Sequence, residues 1–212
     1  LTGQSVLLRQ NADSEAIELG GTGVTNNEFE LTDTEIDSIT ADLLRVGHAA
    51  SGDIRVTTQV FSPNNIGTLS VVSGGTITDD GVGSLGATSL AIHSVGNVTL
   101  DNSESVDAIS VSITGPGNSL VFTNENDGLV IGSSIDGLTG ITTVANTSGN
   151  SGSVTLSTTS GSIEIAEAII TGAASGAARA ARARGAGLWG PKGRPIDILF
   201  IGCTCTGSYN LV

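Results

Sequence analysis

The chain has no methionine, and only one tryptophan, one tyrosine and four phenylalanines in 212 residues. A globular core usually draws much of its buried area from aromatic side chains. At 3% aromatic content the interior has to be aliphatic, which a stack of small repeated units achieves more readily than one globular core. Lysine is missing from the first 178 residues and occurs only as Lys192. Those residues hold 20 acids against Arg9, Arg45 and Arg55, a net charge of −17, whereas residues 179–212 hold five bases and Asp197, a net of +4. So acidic a region repels nucleic acid and anionic lipid. No nucleic-acid partner and no direct membrane insertion are expected, and no apolar run is long enough to cross a bilayer. The two cysteines, Cys203 and Cys205, sit together near the end, far in sequence from His48 and His93. A structural zinc site needs four ligands brought together, so no metal site is expected. A chain that begins at Leu1 is expected to be a piece or a processed product of something longer.

What the sequence does contain is a repeated short pattern. Ile54-Arg55-Val56, Leu69-Ser70-Val71, Leu90-Ala91-Ile92, Val98-Thr99-Leu100, Ile109-Ser110-Val111, Leu129-Val130-Ile131, Val154-Thr155-Leu156 and Ile163-Glu164-Ile165 all read apolar-x-apolar. This alternation sends two side chains to one face of a strand and the middle one to the other. Gly, Asn, Asp and Ser punctuate the intervals as turn residues. Leu69, Leu90, Ile109 and Leu129 recur about every twenty residues, with further strands between them, as the coils of a solenoid would. The fold class expected is all-β, a right-handed parallel β-helix, with a β-sandwich as the alternative. A sandwich also shows short strands but need not keep a twenty-residue interval.

One segment departs from the strand pattern. Thr32-Asp33-Thr34-Glu35 has the S/T-x-x-E form of a capping box, and Ile36, Ile39 and Leu43 follow at helical spacing. A short helical turn is expected near 32–44. After Gly172 the composition changes to an Ala/Arg/Gly run and then to the basic stretch Leu188–Pro195. The division expected is therefore 1–172 as the β-solenoid and 173–212 as a basic tail outside the fold.

Residues 31–56 carry a resemblance. Leu31-Thr32-Asp33-Thr34-Glu35-Ile36-Asp37-Ser38-Ile39, then Leu44-Arg45-Val46-Gly47, then Ser51-Gly52-Asp53-Ile54-Arg55-Val56 resembles a recurring segment of large filamentous-haemagglutinin-like bacterial surface proteins. Gly74-Gly75-Thr76-Ile77-Thr78-Asp79 and the stretch from Leu129-Val130-Ile131-Gly132 to Asp136-Gly137-Leu138-Thr139-Gly140 look like further rungs of that family. The resemblance spans about residues 1–170 and describes a structural repeat. It implies an exported parallel β-helix in a much longer adhesin, secreted by autotransporter or two-partner routes and associated with the outer membrane at the cell surface. The partner it implies is a host or matrix glycan or protein, or a neighbouring cell surface. Nothing carries over to the tail.

Asp79-Asp80 is the adjacent acidic pair a polysaccharide hydrolase on this architecture would need. Gly47-His48 precedes it and is followed by Ala49, and no lysine lies near, so the pair reads as a solvated turn. Arg45 and Arg55 read as surface partners of Asp42 and Asp53. Asn124-Glu125-Asn126-Asp127-Gly128 offers hard oxygens of the kind calcium takes, but these residue types also satisfy turns. The sequence therefore assigns no catalytic, cofactor-binding or metal residues, and the expectation is a non-enzymatic adhesive or stalk segment. The alternatives are a polysaccharide-active β-helix enzyme and a β-sandwich adhesion module.

Overall fold

The computed structural model describes residues 2–22, 28–61, 65–148 and 152–172, together with the backbone of Arg179–Ala181 and Ile198–Phe200. These residues wind as a parallel β-solenoid, 60% strand and 3% helix, in which nine strands of a large parallel sheet curl through 268°. The sandwich alternative fails on topology. Sheet neighbours are successive turns of the chain, paired parallel, whereas a sandwich pairs its strands antiparallel.

Each coil contributes to two faces. One face stacks Ile17–Leu19, Ile54–Val56, Ile77–Asp79, the start of Val98–Pro116, Leu120–Asn124 and Val154–Thr158. The other stacks Thr40–Gly47, Ile66–Ser73, Ser84–Ser94 and the rest of Val98–Pro116. Gly128–Ile131 with Ile141–Val144, and then Ser162–Ile165 with Ile169–Thr171, complete that second face. The apolar-x-apolar rungs lie within these strands with the expected polarity. Ile54 and Val56 are buried while Arg55 faces outward.

In-register stacking turns the rungs into columns. Ile17, Ile54, Ile77, Val98, Leu120 and Val154 form one. Val46, Val71, Ile92, Val111, Ile141 and Ile169 form another. Phe122 is the only aromatic in the buried core among the described residues, so the columns do the work that aromatics do elsewhere. The corners are polar and satisfied from coil to coil. The buried Ser73 donates to the Gly52 carbonyl at 2.8 Å and the buried Ser94 to the Gly75 carbonyl at 3.0 Å.

The fold departs from the sequence pattern at two places. The helix covers only Asp33–Asp37, with the full capping box between Thr32 and Glu35, and Thr40–Gly47 is strand. Leu44 and Val46 fill inward columns between neighbouring coils, and two flanking parallel partners outweigh the local helical spacing of Ile39 and Leu43. The twenty-residue interval also slips once. Leu69, Leu90 and Ile109 stack as spaced, but Ile131, not Leu129, sits on Ile109. Both residues are buried, and a period of two cannot distinguish positions two apart.

The tail contributes two short backbone pairings. Arg179–Ala181 runs antiparallel to Ile169–Thr171, and Ile198–Phe200 antiparallel to Val154–Leu156. The rest of 173–212, including Cys203 and Cys205, lies outside the described residues.

Val111 tests the column model directly. It is 1% exposed and stacked between Ile92 and Ile141. Val111→Asp would place an unpaired carboxylate between coils and is expected to cost on the order of 3–5 kcal/mol. Thermal melts followed by far-UV circular dichroism should show a large fall in the transition. An unchanged melt would mean that the inward register is wrong.

Candidate functional site

Two side-chain clusters stand out from the regular columns. The first arises where the chain leaves the sheet in mid-strand. Ile131 stacks on Ile109 and Ile141 on Val111, so one position of the partner strand, Ser110, separates two residues that lie ten apart in sequence. Residues 132–140 fill that interval as a looped-out strap. Its base is closed by hydrogen bonds from Gly140 N–H to the Gly132 carbonyl at 3.0 Å and from Val111 N–H to the Gly140 carbonyl at 2.9 Å. Gly140 has φ +66, and a Cβ there would lie 2.1 Å from the Ala168 carbonyl oxygen, so only glycine fits.

The strap is a small antiparallel hairpin, Ser133–Ile135 against Leu138–Thr139. Asp136 (φ 47) and Gly137 (φ 78) make its two-residue turn, the left-handed pair of a type I′ hairpin. It lies back over the outer face, against the strands Ser84–Ser94 and Val98–Pro116. Underneath runs the row Ser70, Ala91, Ser110, aligned from coil to coil. These residues alternate with inward Leu69, Val71, Leu90, Ile92, Ile109 and Val111 and so point outward, yet all three are 0% exposed.

At the tip, Asp136 meets a prepared set of donors. Arg45 Nε donates to Asp136 Oδ2 at 3.1 Å, and Arg45 Nη2 donates to Oδ1. Ser70 Oγ donates to Oδ2 at 2.5 Å. His93 Nε2 lies 3.6 Å from the same oxygen and is buried without a hydrogen-bond partner. The forked contact is the one a guanidinium makes best with a carboxylate. Burial alone would raise the Asp136 pKa. The hydrogen bonds from Arg45 and Ser70, with the charges of Arg45 and His93, outweigh it and hold the carboxyl below its ordinary value. His93 is pushed down, first by burial and then by the Arg45 charge, against the pull of Asp136.

The second cluster lies at the corner before Glu104. In the column Leu19, Val56, Asp79 the third position carries a carboxylate instead of an aliphatic side chain. Asp79 accepts from Asn102 N–H at 2.7 Å. Glu104 is 0% exposed, accepts from Leu85 N–H, and leaves Oε1 without a partner. The two carboxyls face each other, with Asp101 nearby and no cation among the groups acting on Glu104. Two carboxyls in this position cannot both be charged. Burial is the main cause that pushes Glu104 up to about 9, helped by the Asp79 and Asp101 charges, and burial also lifts Asp79.

Several candidate residues fall elsewhere. Asp80 is exposed, but Asp79 is partly buried in this corner, so the pair is not the solvated turn expected. Arg45 pairs with Asp136 and not with Asp42. Arg55 pairs with Glu28 at 3.3 Å and Glu18 at 3.6 Å, while Asp53 accepts from Thr76 N–H in the next coil. Asn124 is fully buried, accepting from Val106 N–H and donating to the Gly128 carbonyl. Asn126 bonds Ser105 and Asp107. Their oxygens are committed to the fold, and no group of three or more His, Cys, Asp or Glu among the described residues is placed to hold a metal ion. An open groove of about 520 Å³ is lined by Asp107, Asn126, Asp127, Val130, Ser162 and Glu164, an acidic hollow that disfavours anions. No helix among the described residues is long and apolar enough to cross a membrane.

Glu104→Gln should report on the buried proton. A glutamine carbonyl can still accept from Leu85 N–H, and its amide is neutral at every pH. Because the folded pKa is raised, the stability contributed by Glu104 is complete below about 4.5. It is lost as pH rises toward about 9. The variant should match the parent near pH 4 and exceed it near pH 8 by on the order of 3 kcal/mol. Urea melts across that range would show the divergence. Parallel curves would mean that Glu104 is charged in the folded chain.

No protein-family model, no curated protein and no solved structure matches the chain.

Proposed function

We propose that this chain is a non-enzymatic segment of an exported, adhesin-like bacterial surface protein, serving as a stalk or presenting a binding face. The observation that carries the reading is the stacking itself. Identical strand positions recur at one strand spacing, so the outward residues form a continuous face. On one face the outward row runs Glu30, Glu18, Arg55, Thr78, Thr99, Val121, Thr155. A rigid surface of repeated hydroxyl and charged groups suits contact with an extended partner more than it suits chemistry on a small one. The partner in this reading is a host or matrix glycan or protein, or a neighbouring cell surface. The acidic charge of the coil supports an exported setting, where it keeps strand edges from pairing between molecules.

A polysaccharide-active enzyme fits the carboxyl cluster poorly. Glycoside hydrolysis wants two carboxyls about 5 Å or more apart with substrate between them. Asp79 and Glu104 face each other directly, and Glu104 is closed to solvent.

The reading is tested by immobilising the full chain and passing matrix proteins, mucins and a glycan panel over it. Saturable binding to at least one of them is expected. Failure of all to bind would reduce the role to that of a spacer. Release of new reducing or unsaturated ends from acidic polysaccharides would replace the reading with the enzymatic one.

A further inference from the structure

The clasp around Asp136 has more recognition chemistry than a hairpin needs. The turn Asp136-Gly137 is already closed by its own backbone geometry, and Ile135, 6% exposed, already gives the strap an apolar anchor. Yet the carboxyl is met by a forked guanidinium, a buried hydroxyl and an imidazole. These come from three different coils at Arg45, Ser70 and His93. The donors sit on rigid, in-register strands, with Arg45 aligned on Ser70. They would keep their positions if the strap were lifted. Arg45 is one of only three bases in the first 178 residues, so the clasp is a local cationic point on an acidic coil. His93 Nε2 lies 3.6 Å from Asp136 Oδ2, beyond hydrogen-bond distance.

We propose that Arg45, Ser70 and His93 form a carboxylate-binding site on the outer face of the coil, occupied in cis by Asp136, and that release of the strap opens this site and the Ser70–Ala91–Ser110 trough to a carboxylate-bearing ligand. The strap is then an internal competitor. Tethered at both ends within one strand, it presents its carboxylate at a high effective concentration, so an outside carboxylate gains access only when the strap is displaced. The strap leaves and rejoins the sheet at neighbouring inward positions. Removing residues 132–140 and joining Ile131 to Ile141 through one residue restores the spacing of Ile109-Ser110-Val111 on the strand beneath.

The test uses the full chain in two forms. In one, residues 132–140 are replaced by a single serine; in the other, Asp136→Ala leaves the strap in place. The probe is sodium acetate at constant ionic strength against sodium chloride, read through the His93 ring resonances, with circular dichroism to verify the coil. Both variants should show a saturable shift at millimolar acetate, with an apparent affinity at least ~10-fold tighter than the parent. Adding Arg45→Ala should abolish it. The proposal is overturned if neither folded variant gives a saturable shift, or if the shift survives Arg45→Ala. Should the excision variant fail to fold, Asp136→Ala alone decides between the same two outcomes.

Discussion

Parallel pairing in register between one coil and the next is the constraint on which the rest of the molecule depends. Each inward side chain must fit the one above and the one below it, so the columns accept only residues of similar shape. That explains a core of Ile, Leu and Val with Phe122 as its one buried aromatic among the described residues. It also explains why changes in chain length happen between columns and not within them. Corners change length, as the shift from Leu129 to Ile131 shows, and a whole hairpin leaves the sheet at residue 132. The columns Leu69, Leu90, Ile109, Ile131 and Val71, Ile92, Val111, Ile141 pass through these interruptions unbroken.

The same stacking sets the polar problem at the corners. A coil closes by turning its backbone, which leaves N–H and C=O groups inside that need partners. Ser73, Ser94 and Asn124 supply them, each bonding a neighbouring backbone group while buried. Glu104 occupies the equivalent place one coil before Asn124, with which it is aligned. It makes the same kind of bond, to Leu85 N–H as Asn124 does to Val106 N–H. A protonated glutamic acid is chemically close to an amide in this role. The neutral state of Glu104 thus follows from the architecture, and the pH dependence is the consequence of filling an amide's position with an acid.

The coil was legible in the sequence because alternation with period two and a recurrence near twenty residues are local patterns, and every apolar-x-apolar rung lies in a strand. The helix was legible at its start, where Thr32 and Glu35 form the capping box, and misread at its end, where Leu44 and Val46 answer to neighbouring coils. The strap was misread as one more rung. Its signal was present, since Asp136-Gly137 between short apolar stretches is the strongest short hairpin signature, but Leu129-Val130-Ile131 just before it suggested a rung continuing. The clasp was not legible at all. Arg45 and Asp136 are 91 residues apart, and Ser70, Ala91 and Ser110 read as ordinary solvent-facing positions. Only the lie of the strap makes them interior.

The strap also bears on how a solenoid acquires specificity. A stack of equal coils offers a face that is uniform along its length, and uniform faces bind weakly and in many registers. An insertion in mid-strand breaks that uniformity without disturbing the columns, because its two ends rejoin the sheet at adjacent inward positions. Its tip can then join side chains from coils that the rungs themselves keep apart. Here it joins a guanidinium, a hydroxyl and an imidazole around one carboxylate. The irregular element laid over the repeat brings these groups together, and the repeat's contribution is to hold the donors still.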